Sequence, residues 1–474
     1  MPTFTQNDIN VSKQRLRKKF LKMELLNFSY QIVDVLQGVI IGGNFSINST
    51  SDIRRQCSVT AVLKDDTFDV RSGGRIWLDK YVRLWCGVEE VHTGEIVWNK
   101  MGTFLINSPS YSYDSTTHTI SFEALDLMAK LTGLRNGNLE GVTHIIEEGA
   151  NIRNAMIATL KEAGFTRYVI EDNPQKVPYE IKVDIGGTVY DILKQLRDIS
   201  PNYQIYFDAD GVFHYDMIPS NLADAIAFDD TLIMRNLISE GMDVDFENIK
   251  NVIEVFGKSI DPKYFGGTAA ISGDTYTIKV EKENLKYRKY NIYGFVTPKT
   301  GNTIANPKLK VNELEALPLL LEGNKPAVLK DDEYYVAKLA DDLKSWVFLG
   351  KQQIWYEVKD MNPESPYYVK GTVGEIREIK QGGEYENIYT DDLARQRAEY
   401  ELWLHTNMSN TISMTCVPMN FLDVNMKFEH AFKGKETLQY ITKSISMDLN
   451  PLGTQTIQAI RFYPLYPFII NNSI

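Results

Sequence analysis

Histidine is the first residue type to consider for chemistry, because imidazole can act as an acid, a base or a metal ligand near neutral pH. This chain has six histidines, at positions 92, 118, 144, 214, 405 and 430. None of them forms an HExxH motif or another metal-ligand spacing. His118 and His214 stand in runs with strand-like alternation, where we expect structural hydrogen bonding. We predict no metal site, no cofactor and no catalytic residue.

Carboxylates are the next candidates. The sequence Asp208-Ala209-Asp210-Gly211 begins like a calcium-binding loop but lacks the third acidic ligand and the closing glutamate. Aromatic strand-like runs flank it, so we interpret it as a hairpin turn. Pairs such as Asp341-Asp342 and Glu147-Glu148 are common on solvated helix ends. Because two carboxylates at a set distance suffice for a glycosidase, these pairs alone leave that activity open.

Nucleophile and phosphate-binding motifs do not occur in the sequence, which contains no GxSxG and no P-loop. The pairs Gly42-Gly43, Gly186-Gly187 and Gly266-Gly267 are isolated and typical of turns. The three cysteines stand at positions 57, 86 and 416, too far apart for a CxxC zinc pair and odd in number for a disulfide framework. We therefore expect assembly in a reducing cytoplasm.

Composition and charge exclude further classes of protein. The 474 residues include 51 Lys and Arg and 62 Asp and Glu, which gives a formal net charge of −11. A sequence-independent nucleic-acid binder needs net positive charge to neutralise phosphates. No apolar run approaches the roughly 18 residues that span a bilayer. The basic residues between Lys13 and Lys22 are not followed by the apolar core of a signal peptide; residues 11–26 could form a helix whose basic face contacts protein.

Apolar residues that alternate with polar ones predict strands in two regions of the chain. In the first region, Cys57, Val59 and Ala61 share one face, and turn residues separate several such runs. Strands joined in this way predict an antiparallel barrel or sandwich. The second region is the C-terminus, where four strand-like runs follow a helix predicted at 391–405.

Between these regions, residues 137–239 read as an α+β module. Asn151 caps a predicted helix that ends at Gly164, and Thr188 with Asp191 opens another in a variant of the capping box. The Asp-Gly turn predicts a hairpin behind the second helix. The sequence NVIEVFG, which begins at Asn251, predicts a buried strand, and a loop-rich segment follows it.

The two β regions end in similar sequences. The sequence GTFLINSPSYSYDSTTHTISFEAL ends the first, and LQYITKSISMDLNPLGTQTIQAIRF ends the second. Each contains a strand that reaches a serine, Ser108 or Ser444, then a polar turn and a Thr-Ile strand. Convergence of hairpin chemistry is one explanation, and a duplicated β-barrel is the other.

Several sequence segments of the chain resemble the tail or baseplate hub proteins of phages of Gram-positive bacteria. They are WVFLGKQQ at 346–353, NPESP at 362–366, GGEYENI at 382–388, LARQRAEYEL at 393–402 and PSYSYDSTTHTISFEALDLMAKLTG at 109–133. The C-terminal sequences ITKSIS and TIQAIRFYP are also similar. These are structural signatures without a catalytic motif, so they imply a fold and a role and no individual site residue.

The resemblance implies a trimeric hub, in a phage tail or a tail-like bacteriocin, with two similar antiparallel β-barrels per chain. On this basis residues 1–136 form the N-terminal segment and first barrel, and 137–239 form an α+β insertion. Residues 240–258 and 388–474 form a discontinuous second barrel, and 259–387 form an inserted mixed domain. NVIEVFG is then expected to pair with the C-terminal strands. Some relatives carry a wall-degrading domain after the hub, and we expect none fused behind Ile474.

The implied function is that of a structural virion protein without enzymatic activity, which adapts a sixfold tail tube to a threefold tip or spike. Its implied partners are two further copies of itself, the tail tube or distal tail protein, the tape measure protein and the tip, spike or baseplate proteins. DNA would pass through its channel without specific binding, and the chain itself would not insert into membrane. It would lie at the tail tip of the virion, after assembly in the host cytoplasm. The alternatives are a tail-tip cell-wall hydrolase and a non-viral β-rich carbohydrate-binding protein.

Overall fold

The computed structural model describes residues 4–463, apart from 38, 64–69, 115, 140–143, 148, 178–180, 184–185, 201, 245, 283–284, 289–290, 300–303, 322–323, 341, 389 and 408–410. The helices in this part of the chain are α1 (Gln6–Ser12), α2 (Ile152–Glu162), α3 (Val189–Asp198), α4 (Asp230–Asn236) and α5 (Asp391–Asn407). Strands outnumber them, so the predicted fold class, mainly β with α+β insertions, is confirmed.

The strands of the N-terminal half are β1 (Lys19–Leu26), β2 (Ile32–Gln37), β3 (Ile40–Asn48), β4 (Arg55–Val62), β5 (Tyr81–Glu89), β6 (Ile96–Tyr113), β7 (His118–Asp126), β8 (His144–Ile146), β9 (Tyr168–Ile170), β10 (Ile181–Val183), β11 (Tyr203–Phe207), β12 (Phe213–Met217) and β13 (Leu237–Asp243). Those of the C-terminal half are β14 (Val252–Ser259), β15 (Tyr264–Thr268), β16 (Ala270–Ser272), β17 (Thr275–Ile278), β18 (Ile292–Val296), β19 (Lys308–Val311), β20 (Leu317–Leu320), β21 (Tyr334–Leu339), β22 (Trp346–Lys351), β23 (Gln353–Lys359), β24 (Arg377–Lys380), β25 (Thr411–Cys416), β26 (Lys427–His430), β27 (Leu438–Asp448) and β28 (Gln455–Arg461).

Contacts divide the chain into two units, residues 1–249 with 404–474 and residues 250–403. The first unit contains a twelve-stranded sheet in the order β13-β25-β28-β27-β3-β4-β7-β6-β5-β1-β2, with β26 also paired to β27. All its pairs are antiparallel. Buried and less buried residues alternate along β4, as the sequence predicts. The two predicted barrel regions are thus two halves of one sheet.

The two halves share one strand order. In the first half it is β4-β7-β6-β5, and in the second it is β25-β28-β27-β26, which is the same sequence of neighbours in the same chain order. A one-residue bulge precedes Ser110 on β6, and another precedes Ser444 on β27. The structure therefore aligns SYSYD at 110–114 with SISMD at 444–448. The serine matched from sequence was Ser108, which falls within the bulge.

The expectation that NVIEVFG pairs with the C-terminal strands is wrong. Its strand, β14, belongs to the second unit, where it pairs with β23 on one side and β24 on the other. Val252, Ile253 and Val255 are fully buried there. A strand this apolar does require a neighbouring strand on each side. Both neighbours, β23 and β24, come from the segment that was expected to be rich in loops. Of the predicted 240–258 portion of the second barrel, only the residues of β13 join the large sheet.

The helix expected over residues 11–26 is also wrong. α1 ends at Ser12, and 19–26 form β1, which pairs with β5 along its whole length. Met23 and Leu25 alternate with more polar positions and are fully buried. Pairing on both sides satisfies the backbone groups of β1, and this outweighs the helical propensity of its leucines and lysines.

The α+β module follows its predicted local signals. The Asn151 side chain accepts a hydrogen bond from the N–H of Asn154 at 3.0 Å, at the start of α2. Thr188 and Asp191 form the capping box of α3. β11 and β12 form the predicted hairpin across the Asp-Gly turn, and β9 adds to it in parallel. The buried faces of α2 and α3 share one core with this hairpin.

The second unit is also rich in strands. Its larger sheet has the order β15-β18-β21-β22-β20-β19-β17-β16, and β23-β14-β24 forms a smaller one. Trp346 is fully buried in the larger sheet, and its indole N–H donates to the carbonyl of Leu309 at 2.9 Å. Ala394 and Ala398 of α5 pack with Ile253 and Val255 of β14. Among the described residues, no helix is both long enough and apolar enough to cross a membrane.

Candidate functional site

The acidic sequence at 208–211 is the turn of the β11–β12 hairpin, as predicted. Asp208 Oδ1 accepts hydrogen bonds from the N–H groups of Asp210 and Val212, both at 2.9 Å. Asp208 Oδ2 lies 3.0 Å from Nε2 of His214. Asp210 forms an ion pair with Lys100 of β6. Both carboxylates are therefore engaged in holding the turn and in attaching it to the large sheet.

The hydrogen bonds set the charge of the Asp208 carboxylate. Burial acts to raise its pKa, but the bonds from His214 and from the backbone N–H groups outweigh burial, and the pKa is lowered. A carboxylate of lowered pKa is a poor general acid at neutral pH. No cluster of three or more potential metal ligands occurs in the described part of the chain. Asp341 and Glu148, from the carboxylate pairs weighed in the sequence, lie outside the described residues.

The cysteines do not provide a nucleophile. Cys57, Cys86 and Cys416 are buried free thiols. Burial raises the pKa of Cys86 and of Cys416 to about 12, and it raises that of Cys57 further. Because the thiolate is the reactive form, these side chains act as small apolar groups of the core.

The basic N-terminal segment contacts this same chain. Arg17 donates to the carbonyl of Pro418 at 2.8 Å and to the side chain of Asn236. Lys19 donates to the carbonyl of Gly453 at 2.8 Å, and Lys18 forms an ion pair with Glu89 at 2.9 Å. Burial, and then the charge of Arg235, lower the pKa of Arg17 to about 10. The contacts of Arg17 with Pro418 and of Lys19 with Gly453 connect the start of the chain to its C-terminal part, and the Lys18 pair connects it to β5.

The two halves of the large sheet meet at a joint between β3 and β27. β26 pairs with residues 438–441 of β27, and β3 pairs with residues 444–448 farther along the same edge. In this register Ile445 lies opposite Ile47, and Met447 lies opposite Phe45. All four side chains are buried in the core that the two halves share. The joint makes one continuous sheet out of two equivalent modules.

An ion pair reinforces the joint. Arg55 follows the β3–β4 turn and bonds to Asp423 of the C-terminal half. The backbone N–H of Arg55 donates to Asp126 Oδ2 at 2.9 Å, and the other Asp126 oxygen accepts from the N–H of Met128 at 2.9 Å. Asp126 is fully buried, and burial raises its pKa to about 6 despite these hydrogen bonds.

The raised pKa of Asp126 predicts a pH-dependent effect of the Asp126→Asn substitution. A carboxyl whose pKa is higher in the folded than in the unfolded protein stabilises the fold below the unfolded pKa, and this stabilisation is lost as pH rises through about 6. Asparagine does not titrate, so we expect the substitution to cost about 1 kcal/mol more at pH 5 than at pH 8. Urea unfolding at the two pH values measures the difference.

Asp114→Asn is the matched control for this measurement. Asp114 is exposed, and hydrogen bonds from Thr116 and Thr117 lower its pKa, so it stays ionised across this pH range in both states. Its substitution should have the same effect at pH 5 and pH 8. Equal costs of Asp126→Asn at the two pH values would contradict the raised pKa.

A buried cluster at the end of β26 was not apparent from the sequence. His430 is completely buried, with Nδ1 2.7 Å from Asp230 Oδ1 and Nε2 2.7 Å from Glu240 Oε2. The three residues belong to β26, α4 and β13, and they are separated by up to 200 positions. No local spacing signals such a set. The cluster secures β13, the terminal strand of the large sheet.

Comparisons with known proteins agree with this architecture. The crystal structure of the 43 kDa tail protein of prophage MuSo2 from Shewanella oneidensis matches with a TM-score of 0.51 and 11% identity, over 93% of this chain and 98% of that one. The tail protein of Neisseria meningitidis MC58 matches with a TM-score of 0.51 and 10% identity, over 93% of this chain and 96% of that one. The chain therefore has the fold of phage tail proteins.

Sequence comparisons are less informative. A family model described as a domain of unknown function (DUF5048) matches residues 364–466, which include α5 and the C-terminal strands. No curated protein matches the chain. The fold resemblance noted from the sequence phrases is thus confirmed through structure.

Proposed function

We propose that this chain is a structural protein of a phage tail or tail-like particle, and that it serves as the hub at the tail tip or baseplate. The observation that carries the proposal is the repeated strand order within one sheet of a chain with a phage tail protein fold. Two equivalent modules per chain become six in a homotrimer. Such a ring offers quasi-sixfold symmetry to a hexameric tail tube and true threefold symmetry to a tip or spike.

The charge of the chain suits a channel through which DNA passes. Its formal net charge is −11, so a lumen formed by copies of it repels the phosphate backbone and does not retain it. In this role the partners are the tail tube or distal tail protein, the tape measure protein, and the tip, spike or baseplate proteins. The location is the tail tip of the virion, reached after assembly in the host cytoplasm.

The role requires no chemistry from the hub itself. Asp208, Asp210 and His214 hold a hairpin turn, and the cysteines are buried thiols. Incubation of the purified chain with Gram-positive cell walls should therefore leave turbidity and reducing ends unchanged. Release of wall fragments that is lost on Asp208→Asn would instead favour the tail-tip hydrolase.

The homotrimer gives the direct test of the proposal. We expect light scattering to give a particle of three times the mass of one chain at micromolar concentration. Negative-stain images should show a ring with six similar lobes, because each chain contributes two modules. A chain that remains monomeric at the highest protein concentration measured, or a ring of another symmetry, would contradict the proposed hub function.

A further inference from the structure

The C-terminal end of β6 resembles the β27 side of the joint between β3 and β27. β5 pairs with residues 96–105 along one edge of β6, while β7 continues along the other edge to Tyr113. No strand of the described residues pairs with the β5 side of β6 beyond residue 105. In the equivalent strand of the second half, β27, that same stretch of edge is taken by β3.

The alignment of the halves makes the comparison residue by residue. SYSYD at 110–114 occupies the place of SISMD at 444–448, so Tyr113 is the equivalent of Met447. Met447 is only 3% exposed because Phe45 of β3 lies opposite it, whereas Tyr113 is 74% exposed. The Tyr113 ring thus contacts the ring of His118 at a centroid distance of 4.1 Å but is otherwise largely exposed, whereas its counterpart closes the core.

The complementary edge lies at β13, which is the equivalent of β3. β13 is the terminal strand of the sheet, and β25 is its only partner in the described part of the chain. Ser413 of β25 and Thr60 of β4 are equivalent residues of the two halves. Gly241 of β13 lies opposite Ser413 and Gly42 of β3 lies opposite Thr60, so the two glycines are equivalent as well. Counting onward from these glycines places Val244, directly after β13, at the position of Phe45, and Phe246 follows at a bend two residues later.

These two residues are also left in solvent. Val244 is 45% exposed, although its equivalent Phe45 is buried, and Phe246 beside this edge is 76% exposed. Two exposed apolar edges that correspond to the two sides of a buried joint are complementary to each other. Unpaired strand edges of this kind favour pairing with another chain.

We propose that β13 and the residues directly after it pair antiparallel with the far end of β6 in a second copy of this chain. The register repeats the internal joint, with Val244 opposite Tyr113 of the second copy. Because each copy presents one edge of each kind, the contact is head-to-tail, and under the threefold symmetry proposed for the hub it closes into a ring. This pairing rests on the proposed hub function and specifies how the ring is held together.

One pair in this register departs from the internal joint. Within the chain, Asn44 Nδ2 lies 3.5 Å from Asp448 Oδ1. The equivalents of these residues are Asp243 and Asp114, so two carboxylates would face each other across the proposed contact. Like charges directly opposite each other weaken a strand pair. Asp243→Asn, which restores the internal pair, should strengthen association by about two- to fivefold per contact.

Cysteine cross-linking tests the register. The native cysteines are buried, so engineered thiols at exposed positions will react selectively. We expect the double variant Tyr113→Cys/Val244→Cys to give covalent trimers under mild oxidation on non-reducing gels. A mixture of the two single variants should give covalent dimers and nothing larger, because each copy then carries one engineered thiol.

Tyr113→Cys/Ile238→Cys is the matched control. Ile238 is an exposed residue of the same strand, but it lies six positions from Val244, about 20 Å along a strand. It should not cross-link. Light scattering on the same samples separates the outcomes. A trimer without the Tyr113–Val244 cross-link, or one that cross-links equally well through Ile238, overturns this pairing and leaves the hub intact. A monomer overturns both.

Discussion

Replacement of Phe45 by alanine should destabilise the unassembled chain by about 3–5 kcal/mol, as is typical when a buried aromatic side chain is truncated to alanine in a core. Phe45 has no exposed surface, and its ring packs edge-on against Phe104 at a centroid distance of 6.4 Å. It also lies opposite Met447 across the joint. The substitution leaves a cavity where the two halves meet, so both should unfold together in urea. The free energy of unfolding, measured at a concentration at which the chain is monomeric, gives the cost.

Phe246→Ala provides a matched control of the same residue type. Phe246 is exposed in the single chain, so its substitution should change the free energy of unfolding by no more than about 0.5 kcal/mol. A loss below about 1 kcal/mol for Phe45→Ala would show that β3 and β27 are not firmly joined.

The sequence predicted those parts of the fold that are governed by local physics. The caps at Asn151 and Thr188 are short-range hydrogen bonds, and the hairpin at Asp210-Gly211 depends on a turn of three residues between Asp208 and Val212. Each requires only a few neighbouring positions. The repeated hairpin was also detectable, because its serines, its turn and its Thr-Ile pair recur in order along the chain.

Elements that depend on distant neighbours were harder to predict. The apolar residues of β14 indicate a buried strand but not which strands bury it, and two weakly patterned segments at 353–359 and 377–380 do so. β1 was mistaken for a helix because its leucines and lysines favour helices in isolation. Pairing with β5, which lies some 60 residues away, decides its conformation.

Of the candidate site, the role of the sequence at 208–211 as a hairpin turn was predictable, because turn chemistry is local. The contact of Asp208 with His214 of β12 was not predicted. The joint between β3 and β27 leaves no signature in either strand alone. It emerges only when the halves are aligned within the sheet, since residues about 400 positions apart supply its two sides.

The buried His430 cluster leads to the second large effect. His430→Leu should lower the free energy of unfolding by about 3 kcal/mol, because it removes the imidazole that contacts both carboxylates at 2.7 Å and leaves each of them only its backbone N–H donor, from Ala431 or Lys433. The carboxylates of Asp230 and Glu240 would then face each other without the imidazole that separates them at 2.7 Å from each. Asp230 keeps some contact with solvent, which limits the cost.

Neutralisation of Asp230 and Glu240 distinguishes the effect of carboxylate charges left without the imidazole from a simple loss of packing. If unpaired charge is the cause, adding Asp230→Asn and Glu240→Gln to His430→Leu should recover at least half of the lost stability. If packing is the cause, the triple variant should be no more stable than the single one. Because Glu240 belongs to β13, the single variant should also loosen this strand and increase exchange of its amide hydrogens. If the amide hydrogens of β13 exchange no faster in His430→Leu, the cluster does not hold this terminal strand in place. The edge proposed to pair with the next copy would then be ordered by its pairing with β25.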